Sequence, residues 1–175
     1  MSDITASPIS PKKTNHEESP RLLKTLSELR SHSAQLFAKA VNRIQIYSDA
    51  LDPKILNEKD IEHTLIKFIK QNRHAKIQIL IKDELLLRGI DHQLVKLAQQ
   101  FTSFVEIKVL PKEYHENIFA FYLIDNKQMI YRSSVDNHNA ELIKSPHSLI
   151  NEKSKLFNTI WQSASPASFL RALHL

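Results

Sequence analysis

The chain has nine histidines and no cysteine, so thiolate metal sites and disulfides are excluded and the chemistry open to it is narrow. His74-Ala75-Lys76 is the most suggestive group. An imidazole and an ammonium two positions apart share one face of a strand, where the first could attack phosphorus and the second balance charge on its oxygens. Asp83 follows in the same run, KIQILIKD. His138 and His147 flank a polar stretch without a spaced acid, so no zinc site is expected and no metal or other cofactor is implied. Arg88, His92 and Arg132 are the side chains best suited to hold an anion, with Ser133 following Arg132 in sequence. The planar guanidinium fork donates two bonds to a phosphate at once.

These residues need strands and helices to place them. Residues 1–18 are rich in Ser, Pro, Lys and Glu and predict a disordered tail ahead of a single domain over 19–175. Ser19-Pro20 reads as a helix start, and Leu22, Leu26, Leu29, Ser33, Leu36 and Ala40 form one stripe of a leading helix over about 19–41. Strands are predicted at Arg43–Tyr47, Lys76–Ile81 and Val105–Leu110, with helices between them at about 59–72 and from Asp91, the expected cap, to Phe101. Gly89, the only glycine, should supply a positive φ after a short helical turn. Ile118–Ile124 is a nearly unbroken apolar run, and Asp125-Asn126-Lys127-Gln128 turns it into Met129-Ile130-Tyr131, a hairpin whose first strand lies inside a sheet. A loop is expected from Ser133 to Ser148, then a helix over 151–163, and a last helix started by Ser165-Pro166. Alternating strands and helices imply right-handed parallel crossovers. The predicted fold is therefore α/β, a mixed, mainly parallel sheet of about five strands with helices on its faces. Ligands of such sheets bind beyond the strand C-terminal ends, here Ser48, Asp49, Asp83, the loop with His115, and Arg132–Ser133.

From Ile44 to about Trp161 the order of elements resembles one half of a phospholipase D-like fold, and the hairpin resembles the one that carries that family's His-x-Lys-x4-Asp signature. In the family the His attacks phosphorus, the Lys holds phosphate oxygens and the Asp supports charge and geometry. On this line Ile118 stands at the His position, Ala120 at the Lys position and Asp125 at the Asp position, with Ser133 matching the Ser of the following turn. Neither an alkyl nor a methyl group can attack phosphorus or neutralise an oxygen, and the family's active site needs two such halves. His115 does not substitute, because Asn117 and Tyr122 occupy the positions that would be Lys and Asp. For His74 the acid would have to be Ile81, and Asp83 lies about 6.6 Å further along the strand. Two other pieces, Gly89-Ile90-Asp91-His92-Gln93-Leu94 with Leu97-Ala98, and Phe157 through Trp161 to Arg171-Ala172-Leu173, are similar to an uncharacterised bacterial domain found C-terminal to GCN5-related acetyltransferases.

The resemblance implies a non-catalytic binding or interaction module, with a divergent phosphodiesterase or another phosphate-handling enzyme as the alternative. A net charge of +5 favours polyanions mildly, but Lys and Arg never run longer than two. A protein partner or self-association through the leading helix fits the sequence better than nucleic acid, since most aromatics lie on apolar stripes. The start, MSDITASPISPKK, has no apolar run behind a basic segment. The cytoplasm is the expected location, and no association with membranes is implied.

Overall fold

The computed structural model describes residues 17–87 and 89–170. The strands are β1 Arg21–Leu23, β2 Arg43–Ser48, β3 Lys76–Ile81, β4 Val105–Val109, β5 Ala120–Ile124, β6 Gln128–Arg132, β7 Ala140–Lys144 and β8 Ser165–Pro166. The helices are α1 Leu26–Ala38, α2 Pro53–Leu56, α3 Lys59–Gln71, α4 Gln93–Gln100 and α5 Ser148–Ser163. All eight strands make one sheet in the order β1-β7-β6-β5-β2-β3-β4-β8.

The expectation of a mainly parallel sheet of about five strands is corrected. Only β2/β3 and β3/β4 are parallel, because only these pairs are joined through crossover helices. After β5 the chain turns back at Asp125 and Asn126, both in the left-handed region, φ 49° and 55°, as a tight hairpin requires. The rest of the sheet is antiparallel. The stretch read as a loop over 133–148 contains β7, whose half-exposed residues blur the alternation that marks a strand.

Both Ser-Pro helix starts are also corrected. Arg21–Leu23 pairs with β7 as an edge strand, and α1 begins only after Thr25. There the Thr25 hydroxyl accepts from the Glu28 N–H at 3.1 Å, while the Glu28 carboxylate accepts from the Lys24 and Thr25 N–H groups. That reciprocal box fixes the start more firmly than a proline does. Ser165-Pro166 pairs with β4, and proline tolerates such an edge position. For α4 the cap is His92, not Asp91. Gly89 has φ +76°, and a Cβ there would meet nothing within 4 Å, so backbone conformation alone asks for glycine. Residues 1–16 of the tail expected over 1–18, and the closing Arg171-Ala172-Leu173, lie outside the described residues. Glu17 and Glu18 are already engaged, Glu17 accepting from the Ser148 N–H at 2.8 Å and Glu18 lying 3.8 Å from Lys144.

Alternating strand residues divide the core in two. Ile44, Ile46, Ile77, Ile79, Tyr122 and Ile130 face α1, α3 and α4. The stripe of α1 is closed within this core through Leu29, Ser33, Leu36 and Phe37. On the other face Tyr47, Leu80, Phe121, Leu123 and Met129 pack under Ile150, Phe157 and Ile160 of α5.

Candidate functional site

The C-terminal ends of β1, β2, β3 and β6 and the starts of β5 and β7 come to one end of the sheet. Here lie Lys24, Ser48, Asp49, Lys82, Ile118, Ser133 and Asn139. The middle of this end is crowded. Tyr47 packs against both Phe119 and Phe121, each 5.2 Å away between ring centres, and those two rings also touch at 6.3 Å. Its hydroxyl accepts from the Asn117 amide at 3.0 Å, and burial pushes its pKa up. Beside it Asp49 has a buried Oδ1 that no donor reaches. Burial raises the Asp49 pKa; Lys82, Arg132 and His115 oppose that shift, and Asp136 adds to it. His115 bonds the Leu110 carbonyl at 3.2 Å.

The loop after β2 is held from two sides. Arg132, 2% exposed, donates to Asp52 Oδ2 at 3.0 Å, and to the carbonyls of Val135 and Asn137 at 3.1 and 2.7 Å. Asp52 also caps α2 through the Lys54 N–H. His92, 1% exposed, donates from Nε2 to the Leu51 carbonyl at 2.8 Å and accepts the Leu94 N–H at Nδ1. Those partners require the neutral ring, and burial depresses its pKa. Leu51, with φ 57°, is thus held in an uncommon backbone conformation. Of the residues singled out for anions, His92 and Arg132 bond neighbouring positions of the loop after β2, Leu51 and Asp52. Arg132 also commits its other terminal nitrogen to Val135 and Asn137, which leaves its buried Nε without an acceptor. Ser133 is exposed at the rim, and Arg88 lies outside the described residues.

The positions aligned with the signature separate as well. Ile118 is 60% exposed, its carbonyl accepting from the Val135 N–H, and Ala120 is 1% exposed inside β5. Asp125 sits at the opposite end of the sheet and accepts the N–H groups of Val41, Asn42 and Arg43 at 2.7, 2.9 and 2.8 Å. His74 and Lys76 belong to that opposite end too. Lys76 donates to the Ser103 carbonyl at 2.8 Å, whereas Asp83 caps Leu85 beyond the far end of β3. A strand of that length spans about 20 Å, so the three do not meet.

On the β1 side the same end opens into a cavity of about 330 Å³ between Leu22, Leu23, Lys24, Tyr131, Ser133, Asn139, Ala140 and Glu141. Only Ser133 was legible as a candidate. The others come together through the register of β1 on β7 and β7 on β6, and neither β1 nor β7 carries a clear periodic signal. Among the described residues no group of three or more His, Cys, Asp and Glu could hold a metal ion, and no helix is long and apolar enough to cross a membrane.

Several solved structures share this architecture. An archaeal chromatin protein, TrmBL2, whose structure shows a novel mode of DNA binding, superposes with TM-score 0.62 at 17% identity over 93% of this chain. The chain spans 57% of that protein's length. Nuc from Salmonella typhimurium, a phospholipase D family member, gives TM-score 0.60 at 13% identity, covering 85% of this chain and 99% of its own. NucT from Helicobacter pylori gives 0.61 at 14% with the same coverages. At such identities the likeness establishes the fold, which is phospholipase D-like. No curated protein matches the sequence. Residues 25–173 match the family described as "Domain of unknown function (DUF7931)", and the chain belongs to that family.

Proposed function

We propose that this chain is a phospholipase D-like domain that binds a ligand or partner without cleaving it. One observation carries the reading: the place that aligns with the family's nucleophile is an exposed Ile118, and the place that aligns with its lysine is Ala120, enclosed in β5. An exposed alkyl group is suited to contact and not to attack on phosphorus. The alternative phosphodiesterase built from His74, Lys76 and Asp83 is disfavoured, because those residues sit at opposite ends of β3. DNA binding, a property of the archaeal relative in fold, makes nucleic acid one class of ligand to consider here.

Hydrolysis of bis(4-nitrophenyl) phosphate tests the reading. The full chain should release no more nitrophenol than buffer does across pH 5 to 9. Turnover that disappears in His74→Ala, His115→Ala or Asp49→Asn would overturn it and return the chain to the enzymes.

A further inference from the structure

A single row of side chains crosses the α5 face of the sheet. Strand register sets Leu22 beside Glu141, Glu141 beside Tyr131, Tyr131 beside Phe121, and Phe121 beside Tyr47, and the row continues to Leu80 and Lys108. α5 roofs only part of this row. Tyr47, Leu80 and Phe121 lie under Phe157 and Ile160, and Lys108 reaches the Trp161 ring at 4.5 Å. At Tyr131 only Lys153 of α5 reaches the row, beyond it Leu22 is 59% exposed, and the cavity of about 330 Å³ opens there. That volume lies in the range of small-molecule sites.

The cavity is apolar in the middle and polar at the rim. Leu22 and Tyr131 supply its apolar surface on this face, and Tyr131 belongs to a bed of aromatics, 6.1 Å from Phe119. Lys153 lies 4.1 Å from the Phe119 ring centre and 5.4 Å from that of Tyr131. Around them stand Lys24, Ser133, Asn139 and Glu141. None of these four side chains makes a hydrogen bond or ion pair with another described residue, although the Lys24 and Asn139 backbones are engaged. The mixture selects a ligand. A bare phosphate would face Glu141 at close range. A hydrocarbon would fill the middle and leave the polar groups unmatched. The fitting occupant is flat, carries N–H groups for Glu141 and Asn139, and bears its negative charge apart from the ring, toward Lys24.

We propose that this cavity binds a nucleotide unit, its base stacked on Tyr131 with N–H groups directed to Glu141, and its phosphate at Lys24. Aromatic side chains on a sheet face serve single-stranded nucleic acids in this way, and Tyr131 is only partly buried. The inference rests on the reading of the chain as a binding module and gives that module a ligand class and a place. The unit can come from a free nucleotide or from a single strand, and the two sources share the same chemistry.

Calorimetric titration of the full chain tests it, with nucleoside monophosphates, short single-stranded oligonucleotides and inorganic phosphate as separate probes. Nucleotides or oligonucleotides should bind and phosphate alone should not. Affinity that grows with strand length and falls steeply with salt assigns the site to single strands; equal affinity for the monophosphate assigns it to free nucleotides. Tyr131→Ala should weaken binding about tenfold or more, and Tyr131→Phe should keep it within about twofold. Glu141→Gln should change the preference among bases, and Lys24→Ala should flatten the salt dependence by about one phosphate. Lys24 and Glu141 sit at the rim, so their variants remain informative if Tyr131→Ala unfolds. Three results would overturn the proposal: no binding of any nucleotide probe at millimolar concentration, binding of phosphate as tight as that of the nucleotide, or binding indifferent to Tyr131, Glu141 and Lys24. Phosphodiester turnover would sink the underlying module reading instead, and these variants would still report on the cavity.

Discussion

Asp125 and Asp49 stand at opposite ends of β2 and show what one side chain does under two sets of neighbours. Asp125 gathers the three backbone N–H groups that lead into β2, so each carboxylate oxygen is satisfied and the residue acts as a fastener. Asp49 follows the last residue of the same strand, and one of its oxygens is buried without any donor. Alignment with a catalytic signature marks Asp125; geometry gives that residue a local architectural task. Asp49 carries no signature, yet one of its oxygens is among the buried polar atoms left unmatched, with those of Gln45, Tyr122, Gln128, Arg132 and His138. An unmet buried acceptor marks a group whose bonding capacity the fold has not used.

Substitutions sharpen the contrast. The largest loss is expected where a buried ion pair is broken next to Asp49. Arg132→Ala leaves Asp52 and two carbonyls without their donor and should cost about 3–5 kcal/mol in urea unfolding. A cost under about 1 kcal/mol would mean that this loop is not held as described. Asp125→Ala comes next, at about 2–3 kcal/mol, because charge-assisted bonds to three N–H groups are lost together. Asp125→Asn should recover only part of that loss, since an amide oxygen accepts more weakly than a carboxylate.

Two pH effects of opposite sign should follow. The fold favours neutral His92, so its contribution is complete above the unfolded pKa of about 6.5 and declines as pH falls toward the depressed folded value. His92→Asn retains a capping oxygen and should flatten that part of the stability profile, at a cost of about 1 kcal/mol from the lost Leu51 bond. Asp49 behaves in the other sense. Its raised pKa favours the protonated acid in the fold, so its contribution is present below about pH 3.9 and is lost as pH rises through the folded value. Asp49→Asn should therefore change stability at pH 7 least of all, by about 0.5 kcal/mol or less and toward greater stability. A large loss in that variant would show that Asp49 is a fastener as well, and the contrast with Asp125 would vanish.

Much of the central sheet was open to reading along the chain. β2, β3, β4 and β5 carry runs such as RIQIY, KIQILI, VEIKV and AFYLI, and α3 and α4 bury the stripes their spacing foretold. The edges were not open in this way. β1 and β8 are three and two residues long, too short for any period, and the Ser-Pro pairs beside them gave a stronger but misleading helix signal. His92 was picked out as an anion contact from its place at a helix start, a place that equally suits the cap it provides. Arg132 was chosen for its position at a strand exit, but its burial and its pairing with Asp52 depend on a partner 80 residues away.

Local order in the sequence determined where the central strands and most helices form, because hydrophobic period acts between near neighbours. Tertiary structure alone decided the direction of the outer strands, the fastening of Val41–Arg43 by a carboxylate more than 80 positions distant, and the cavity between Leu22, Tyr131 and Glu141. Those features depend on register between strands far apart in the chain, and a one-residue shift in that register would turn every one of these side chains to the other face of the sheet.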